Sequence, residues 1–228
     1  AAPRSVHRAR LEARLVAGDE AGAWGVVDAA LASGAAPADV LSVLLAPALR
    51  SIGERWERGE LSVADEHRAS AVAQRLVARL GPRFARPGRR RGRVVIGSAA
   101  GDRHTLPTAI LSDLLRGAGL EVTDLGADCP ADTFADAVRL ADSPAAVGIC
   151  VSSDDVLGSV PRLIAEVRAC GVRCPIVLGG GAIDDAGTAA TLGADRWAGP
   201  IDEVVDLFVE LAAGVDQGDA SDAPGVGE

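Results

Sequence analysis

The sequence predicts an α/β chain: an N-terminal four-helix bundle followed by a Rossmann-like (flavodoxin-like) domain with a five-stranded parallel sheet. Three observations predict it. From Ser5 to about Ala85 apolar residues recur at three- and four-residue steps, the rhythm of helices with one buried face. Beyond an arginine-rich stretch, short apolar strand-like runs alternate five times with helical stretches. A content of 48% hydrophobic but only 3% aromatic residues leaves packing to Ala, Val and Leu, which suits both architectures. At 228 residues the chain can bury a sizeable core in one large domain or two small ones. The expected division is a bundle over 1–85, a linker over 86–92, a sheet domain over 93–213 and a disordered tail over 214–228.

In the bundle, Leu11, Leu15 and Val16 mark the first helix and Trp24, Val27 and Leu31 the second, with Gly34-Ala35-Ala36-Pro37 as a break. The third carries Val40, Leu41, Leu44, Leu45, Ala48, Leu49, Ile52 and Trp56. Pro47 within it predicts a kink, because proline removes a backbone donor and crowds the preceding turn. Gly59 suits the residue just past the helix end. Ser62 followed by Asp65 resembles a capping box and opens a fourth helix with Val72, Leu76 and Leu80 inside.

Six arginines from Arg83 to Arg93, interleaved with Pro82, Pro87 and Gly88, read as a solvated linker. Strands are then expected at Val94–Ile96, Leu120–Leu125, Ala146–Val151, Ile176–Leu178 and Arg196–Ala198. Helices are expected at Thr105–Gly117, Ala131–Leu140, Val156–Ala169, Asp184–Leu192 and Ile201–Ala213. Right-handed crossovers make such a series a parallel sheet covered on both faces, with ligands at the carboxyl ends of the strands. From Gly214 the Gly-, Asp-, Ala- and Pro-rich composition predicts disorder.

Net charge of −9 with pI near 4.9 argues against nucleic-acid binding by this segment, since phosphate recognition needs a basic surface. No run has the length of a membrane span and no signal-peptide pattern opens the chain. The four cysteines fit neither a zinc spacing nor a disulfide framework, so a reduced, cytoplasmic protein is expected. Opening at Ala1 without a Met, the chain is expected to be a trimmed piece of a longer protein.

The stretch Gly101-Asp102-Arg103-His104 follows the first strand. Imidazole is a common metal ligand, and a carboxylate on its second nitrogen fixes the tautomer and raises its basicity. One histidine cannot build a protein metal cage, so a metal would arrive largely pre-coordinated, which points to a macrocycle. The plain alternative is an N-cap Asp beside a surface His. Gly179-Gly180-Gly181 lets backbone approach a ligand closely. Neither it nor the run Gly97 to Gly101 forms the dinucleotide fingerprint, which disfavours NAD. Ser152, Ser153, Asp154 and Asp155, after the third strand, either hydrogen-bond a ligand tail or cap the next helix. In the bundle, Trp56 and Glu66-His67 stand at two helix ends joined by the Gly59 turn. They form either an aromatic plate with polar neighbours, suited to a nucleoside, or a packed interhelical Trp and a solvated Glu–His pair.

This order of helical cap, linker and Rossmann-like domain with D-x-H after its first strand resembles the cobalamin-binding proteins that hold cobalamin base-off with His on. The resemblance covers Ser5 to Ala213. Trp56, nine residues, then Glu66-His67 look like the W-x9-EH motif of adenosylcobalamin-binding photoreceptors and regulators of the CarH and AerR type. The resemblance implies His104 as the lower axial ligand to cobalt, with Asp102 as its orienting partner. It implies Trp56, Glu66 and His67 over the upper face and the adenosyl group, and Arg103 and Ser152 among the cofactor-binding residues. Cys150 falls where the family usually has Ser at the end of the third strand, and Gly179-Gly180 match the glycines beside the nucleotide tail. The chain departs from the family at Pro107, which replaces the last Gly of D-x-H-x-x-G and bears on how the loop takes the lower nucleotide. Cys150 for Ser weakens one hydrogen bond to the tail. Glu57 replaces the His that follows the Trp in light-responsive members and captures cobalt once the adenosyl group is lost.

The implied function is a cobalamin-binding sensory or regulatory protein, not an enzyme, that binds adenosylcobalamin between bundle and sheet domain and switches its interactions on light or ligand change. The alternative is the corrinoid methyl-carrier subunit of a methyltransferase system, itself non-catalytic. Those carriers more often read D-x-H-D-x-G, and Arg103, Thr105 and Pro107 fit the regulator type better. A third reading is an α/β interaction module without cofactor. The expected partners are further copies of the chain, as dimer or tetramer, and a regulatory protein or DNA-binding partner or domain outside this segment, since no helix-turn-helix for transcriptional regulation is evident. No membrane is expected among them.

Overall fold

The computed structural model describes residues 2–85, 88 and 90–219. The chain divides into two compact units, Ala1–Ala85 and Arg86–Glu228.

The first unit is helical throughout: α1 (Ala2–Val16), α2 (Glu20–Ala32), a third run in three pieces and α5 (Val63–Leu80), closed by a 3₁₀ turn at Gly81–Phe84. The third run comprises α3 (Pro37–Asp39), a π-helical stretch (Val40–Leu45) and α4 (Ala46–Glu57). Leu11, Leu15, Val27, Leu41, Leu45, Ile52, Leu76 and Leu80 are buried together, so the periodic positions form the core. The kink expected at Pro47 takes another form. Pro47 lies in the first turn of α4, and the stretch before it widens into the π-helix, which accommodates the ring and the missing donor without breaking the run.

Both ends that frame Trp56 and Glu66 are fixed by local chemistry. Gly59, at φ +72°, ends α4, with its N–H on the Trp56 carbonyl (2.8 Å) and the Glu60 N–H on the Arg55 carbonyl (2.9 Å). That is the Schellman pattern. Ser62 and Asp65 form the capping box of α5: the Ser62 N–H donates to Asp65 Oδ2 (2.9 Å) and the Asp65 N–H to Ser62 Oγ (3.2 Å). The shorter Asp therefore does the work usually given to Glu.

The second unit holds β1 (Arg93–Ser98), β2 (Glu121–Asp124), β3 (Ala146–Cys150), β4 (Ile176–Gly179) and β5 (Arg196–Ala198) in the order β2-β1-β3-β4-β5, every pairing parallel. Between and after them run α6 (Leu106–Gly117), α7 (Ala131–Leu140), α8 (Val160–Ala169), α9 (Ala186–Thr191) and α10 (Ile201–Asp219). Successive side chains of β1 point to opposite faces. Val95 joins the core with α7 and α8, whereas Val94 and Ile96 join the core with α6 and α10. Both faces are thus buried, as the continuous apolar strand runs require. Two glycines make room for the largest fully buried side chains. A Cβ on Gly97 would lie 2.9 Å from the Phe134 ring, and one on Gly148 would lie 2.9 Å from the Phe208 ring.

Most element boundaries fall within two residues of expectation, and three segments differ in kind. The helix after β3 starts as a 3₁₀ turn at Asp154–Ser159 and becomes α-helical at Val160, where Pro161 occupies the first turn. The arginine-rich stretch is in part sheet edge: the Arg91 N–H donates to the Gly119 carbonyl (3.0 Å), and Arg93 opens β1 with its guanidinium on Glu121 (3.0 Å) and Asp142 (2.9 Å). Arg86, Pro87 and Arg89 of the expected linker lie outside the described residues. The start of the segment expected to be a disordered tail, from Gly214, overlaps α10, which runs to Asp219. Gly214 costs a helix about 1 kcal/mol, too little to stop one already propagating. Residues 220–228 of the expected tail lie outside the described residues. No helix among the described residues is long and apolar enough to cross a membrane.

Candidate functional site

The strand order places a crevice between β1 and β3. The chain leaves β1 towards α6 on one face and leaves β3 towards α8 on the other, so the two loops diverge at the carboxyl edge. Ligands of doubly wound sheets bind at such a switch point. Here it is flanked by Gly101–His104 and by Ser152-Ser153.

Asp102 is the centre of this edge. Its side chain is 0% exposed, yet both oxygens accept hydrogen bonds. Oδ1 accepts the His104 ring Nδ1–H at 2.7 Å and the His104 backbone N–H at 3.1 Å, while Oδ2 accepts the Ser152 N–H at 2.6 Å. Burial pushes the Asp102 carboxyl up, but the hydrogen bonds from the His104 ring, the Ser152 N–H and the His104 N–H together outweigh it, and the group is held below its ordinary value. An ionised carboxylate only accepts, so Nδ1 carries a proton, and in the neutral ring Nε2 carries the lone pair. That is the ligating tautomer, on a side chain that is 58% exposed. The alternative of an Asp N-cap does not describe the site: the N-cap of α6 is Thr105, without a side-chain cap bond.

The neighbouring positions divide by what they do. Cys150, paired with Ser98 across β1 and β3, is buried, and burial followed by the charges of Asp102 and Asp124 pushes its thiol up to about 12. Among the described residues, the hydroxyls of Ser98, Ser112 and Ser152 are buried without a hydrogen-bond partner. Ser152, expected either to hydrogen-bond a ligand tail or to cap the next helix, donates its backbone N–H to Asp102. Ser98 and Ser112 escaped the sequence reading. The signal for them was a polar residue closing the apolar run Val94 to Ser98 and another on the inner face of α6. Ser153 precedes the 3₁₀ turn without a side-chain cap bond, and Arg103 is exposed. Pro107 stands in the first turn of α6, where its missing N–H costs no helical bond.

Gly179 and Gly180 have a reason in the protein itself. A Cβ on Gly179 would lie 2.6 Å from the Ala198 Cβ, and one on Gly180, at φ +116°, would lie 2.3 Å from the Val151 carbonyl oxygen. Close strand approach requires both. Gly181 has its nearest atom at 3.7 Å, the Ser152 carbonyl oxygen.

In the first unit, Trp56 is 43% exposed in the last turn of α4, so it is not a packed interhelical tryptophan. That description belongs to Trp24, whose ring carries the Arg79 guanidinium at 3.7 Å. Glu66 accepts from the Ser70 hydroxyl at 2.6 Å and meets His67 Nδ1 at 3.0 Å, so its carboxylate is oriented while the imidazole stays exposed. Among the described residues no group of three or more His, Cys, Asp or Glu could hold a metal ion by itself.

Comparison with known proteins bears directly on this edge. One family model described as a B12 binding domain matches residues 7–80, and another of the same description matches residues 92–209. The chain is 30% identical over 181 residues to a dimethylamine corrinoid protein of Methanosarcina barkeri, covering 78% of this chain and 84% of that one. It is 25% identical over 191 residues to a trimethylamine corrinoid protein of Methanosarcina acetivorans, covering 82% and 88%. The monomethylamine corrinoid protein of M. barkeri has the same fold, with a TM-score of 0.76 at 17% identity over 88% of this chain and 96% of that one. The matches span both units and meet a clamped histidine at the edge where this fold binds ligands, so the chain belongs to the B12-binding domain family of cobalamin-binding proteins.

Proposed function

We propose that this protein is the corrinoid methyl carrier of a methyltransferase system, holding cobalamin through His104. The observation that carries the cobalamin site is the Asp102–His104 pair, a buried carboxylate that presents one exposed imidazole in its ligating tautomer. The residues present fit the group. A single nitrogen donor suits a metal already held in a macrocycle, and the orphaned hydroxyls of Ser98, Ser112 and Ser152 are hydrogen-bonding capacity suited to the polar atoms of a nucleotide tail. When bound, the corrin cobalt supplies a centre that accepts and gives up a methyl group. The chain's own residues would hold and orient it: His104 Nε2 would ligate the cobalt, and Asp102 keeps the proton on Nδ1. Cys150, Gly179 and Gly180 would border the tail and Arg103 stands exposed beside the ligand loop, while Trp56, Glu66 and His67 are the candidate cofactor-binding residues of the first unit.

The relatives favour the carrier, held as the alternative on sequence, over the light-responsive regulator, because they are methylamine corrinoid proteins. A chain of similar fold also occurs in a methanol:cobalamin methyltransferase complex of M. barkeri, with a TM-score of 0.52 at 19% identity. By this analogy the partner is a methyltransferase subunit, the chain itself is non-catalytic and the carried form is methylated cobalamin rather than adenosylcobalamin. The test loads the protein with methylcobalamin and follows demethylation by a thiol acceptor with a partner methyltransferase. Turnover that His104→Ala abolishes supports the carrier. No turnover, together with a light-driven change of oligomer size in the adenosylcobalamin-loaded protein, returns the regulator suggested by Trp56 and Glu66-His67.

A further inference from the structure

We propose that Asp128 is the positioning residue of the histidine loop, fixing the backbone from which Asp102 and His104 project. This rests on the reading of His104 as the cobalt ligand. Asp128 lies in the loop that follows β2, far from His104 in sequence, and it belongs to none of the motifs that point to cobalamin. Its carboxylate Oδ1 accepts the Gly101 N–H at 2.6 Å, and its own N–H donates to the Asp102 carbonyl at 2.8 Å. One residue thus grips the loop on both sides of the Gly101–Asp102 peptide.

The grip itself is anchored. The Ser98 N–H donates to the Gly126 carbonyl (2.8 Å) and the Cys129 N–H to the Ser98 carbonyl (3.1 Å), so the loop after β2 is stitched to the end of β1 on either side of Asp128. Asp124 Oδ1 in turn accepts the Gly126 N–H (2.9 Å). Asp128 adopts φ +53°, one of two non-glycine residues with positive φ among those described. Asp and Asn are the non-glycine residues that tolerate this region best. A glycine would hold the backbone more easily but could not reach Gly101, so the residue type answers both demands at once. The Asp102 side chain is then oriented from two directions. Asp128 holds its backbone from β2, and the Ser152 N–H holds its Oδ2 from β3.

Three variants separate this role from simple loop stability. Asp128→Asn keeps an acceptor and tolerates the left-handed backbone. Asp128→Gly relieves the backbone and deletes the acceptor, and His104→Ala reports on the ligand itself. The probe is hydroxocobalamin, read by its dissociation constant and by the absorption bands that distinguish His-on from His-off binding. The Asn variant is expected within about twofold of wild type, and the Gly variant about 10-fold weaker with a shift towards the His-off spectrum, the range found for groups that orient a ligand from behind. A Gly variant with the wild-type constant and spectrum overturns the proposal. A spectrum unchanged in His104→Ala instead overturns the ligand assignment on which it rests. Amide exchange of the cofactor-free wild-type protein gives a readout that needs no variant to fold: the Gly101 N–H is expected to be protected despite its surface loop, and exchange at the rate of an open loop overturns the clamp.

Discussion

Replacing Asp102 by Asn changes no heavy-atom shape and removes one acceptor. The carboxylate accepts three hydrogen bonds, two on Oδ1 from His104 and one on Oδ2 from Ser152. The amide has a single oxygen to offer. If that oxygen faces His104, the amide NH₂ faces the Ser152 N–H, and two donors meet in a place closed to water. A buried unsatisfied group of this kind costs about 1–3 kcal/mol. If the oxygen faces Ser152, the NH₂ donates to Nδ1, the ring proton moves to Nε2, and the ligating lone pair is lost. Either arrangement makes two bonds and leaves one backbone N–H facing the amide NH₂, so the expected loss of stability at pH 7 is about 2 kcal/mol, measured by urea unfolding of the cofactor-free chain. Cobalamin affinity is expected to fall about 10- to 100-fold, because the histidine loses its charged orienting partner.

The pH dependence has a definite sign. The Asp102 carboxyl in the folded protein lies below its ordinary value of 3.8, so its ionised form contributes stability that is complete above that value and lost as pH falls through the folded value. Asn has nothing to titrate, so the gap between wild type and variant is expected to narrow below about pH 3.8. A gap under about 0.5 kcal/mol at pH 7, or one undiminished at the acid end, refutes the account of Asp102 as an ionised carboxylate that accepts on both oxygens.

Further expectations concern single positions. Gly180→Ala would place a methyl 2.3 Å from the Val151 carbonyl oxygen at φ +116°, and thermal unfolding should show a loss of at least about 2 kcal/mol if the approach of β4 to the end of β3 is rigid. Cys150, its thiol raised to about 12, should resist iodoacetamide at pH 8 in the folded protein and react only after denaturation, as peptide mass mapping would show. Trp56→Ala should shift the urea midpoint of the chain by less than about 0.5 kcal/mol equivalent, because the ring is 43% exposed, while weakening cobalamin retention; a large stability loss would return Trp56 to the core. Ser62→Ala should cost about 1 kcal/mol through the lost capping box, seen as a lower unfolding midpoint by circular dichroism.

What the sequence made legible follows from which interactions leave a residue-type signature. The apolar run at Ala146–Cys150 is buried on both faces, and α7 runs over Ala131–Leu140 as its periodicity indicates. The D-x-H spacing marks the histidine and its acid, because the chemistry needs those side chains. Backbone donors leave no such mark. The Ser152 N–H on Asp102 would be the same atom in almost any residue, so the sequence offered Ser152 as a ligand contact or helix cap and not as a support of Asp102. Asp128 was hidden for a related reason, since an Asp after a strand is a common turn residue and its target is a glycine amide. Pro47 announced a disturbance but not its form, because kink and π-turn relieve the same clash. The glycines at 179 and 180 were legible as close approach, yet the approaching atoms are the chain's own.

The placement of Asp102 also bears on how such a site can be moved or built. Its supports come from the loop after β2 and the second amide after β3, so the short Asp-x-His peptide is not a portable unit. Grafted onto another parallel sheet, it would bring its own histidine and acid but neither of the two neighbours that aim them. A designer would have to carry three adjacent loops and the spacing of three strands. A lineage that shortened any one of those loops would detune the metal ligand without touching a residue that contacts it.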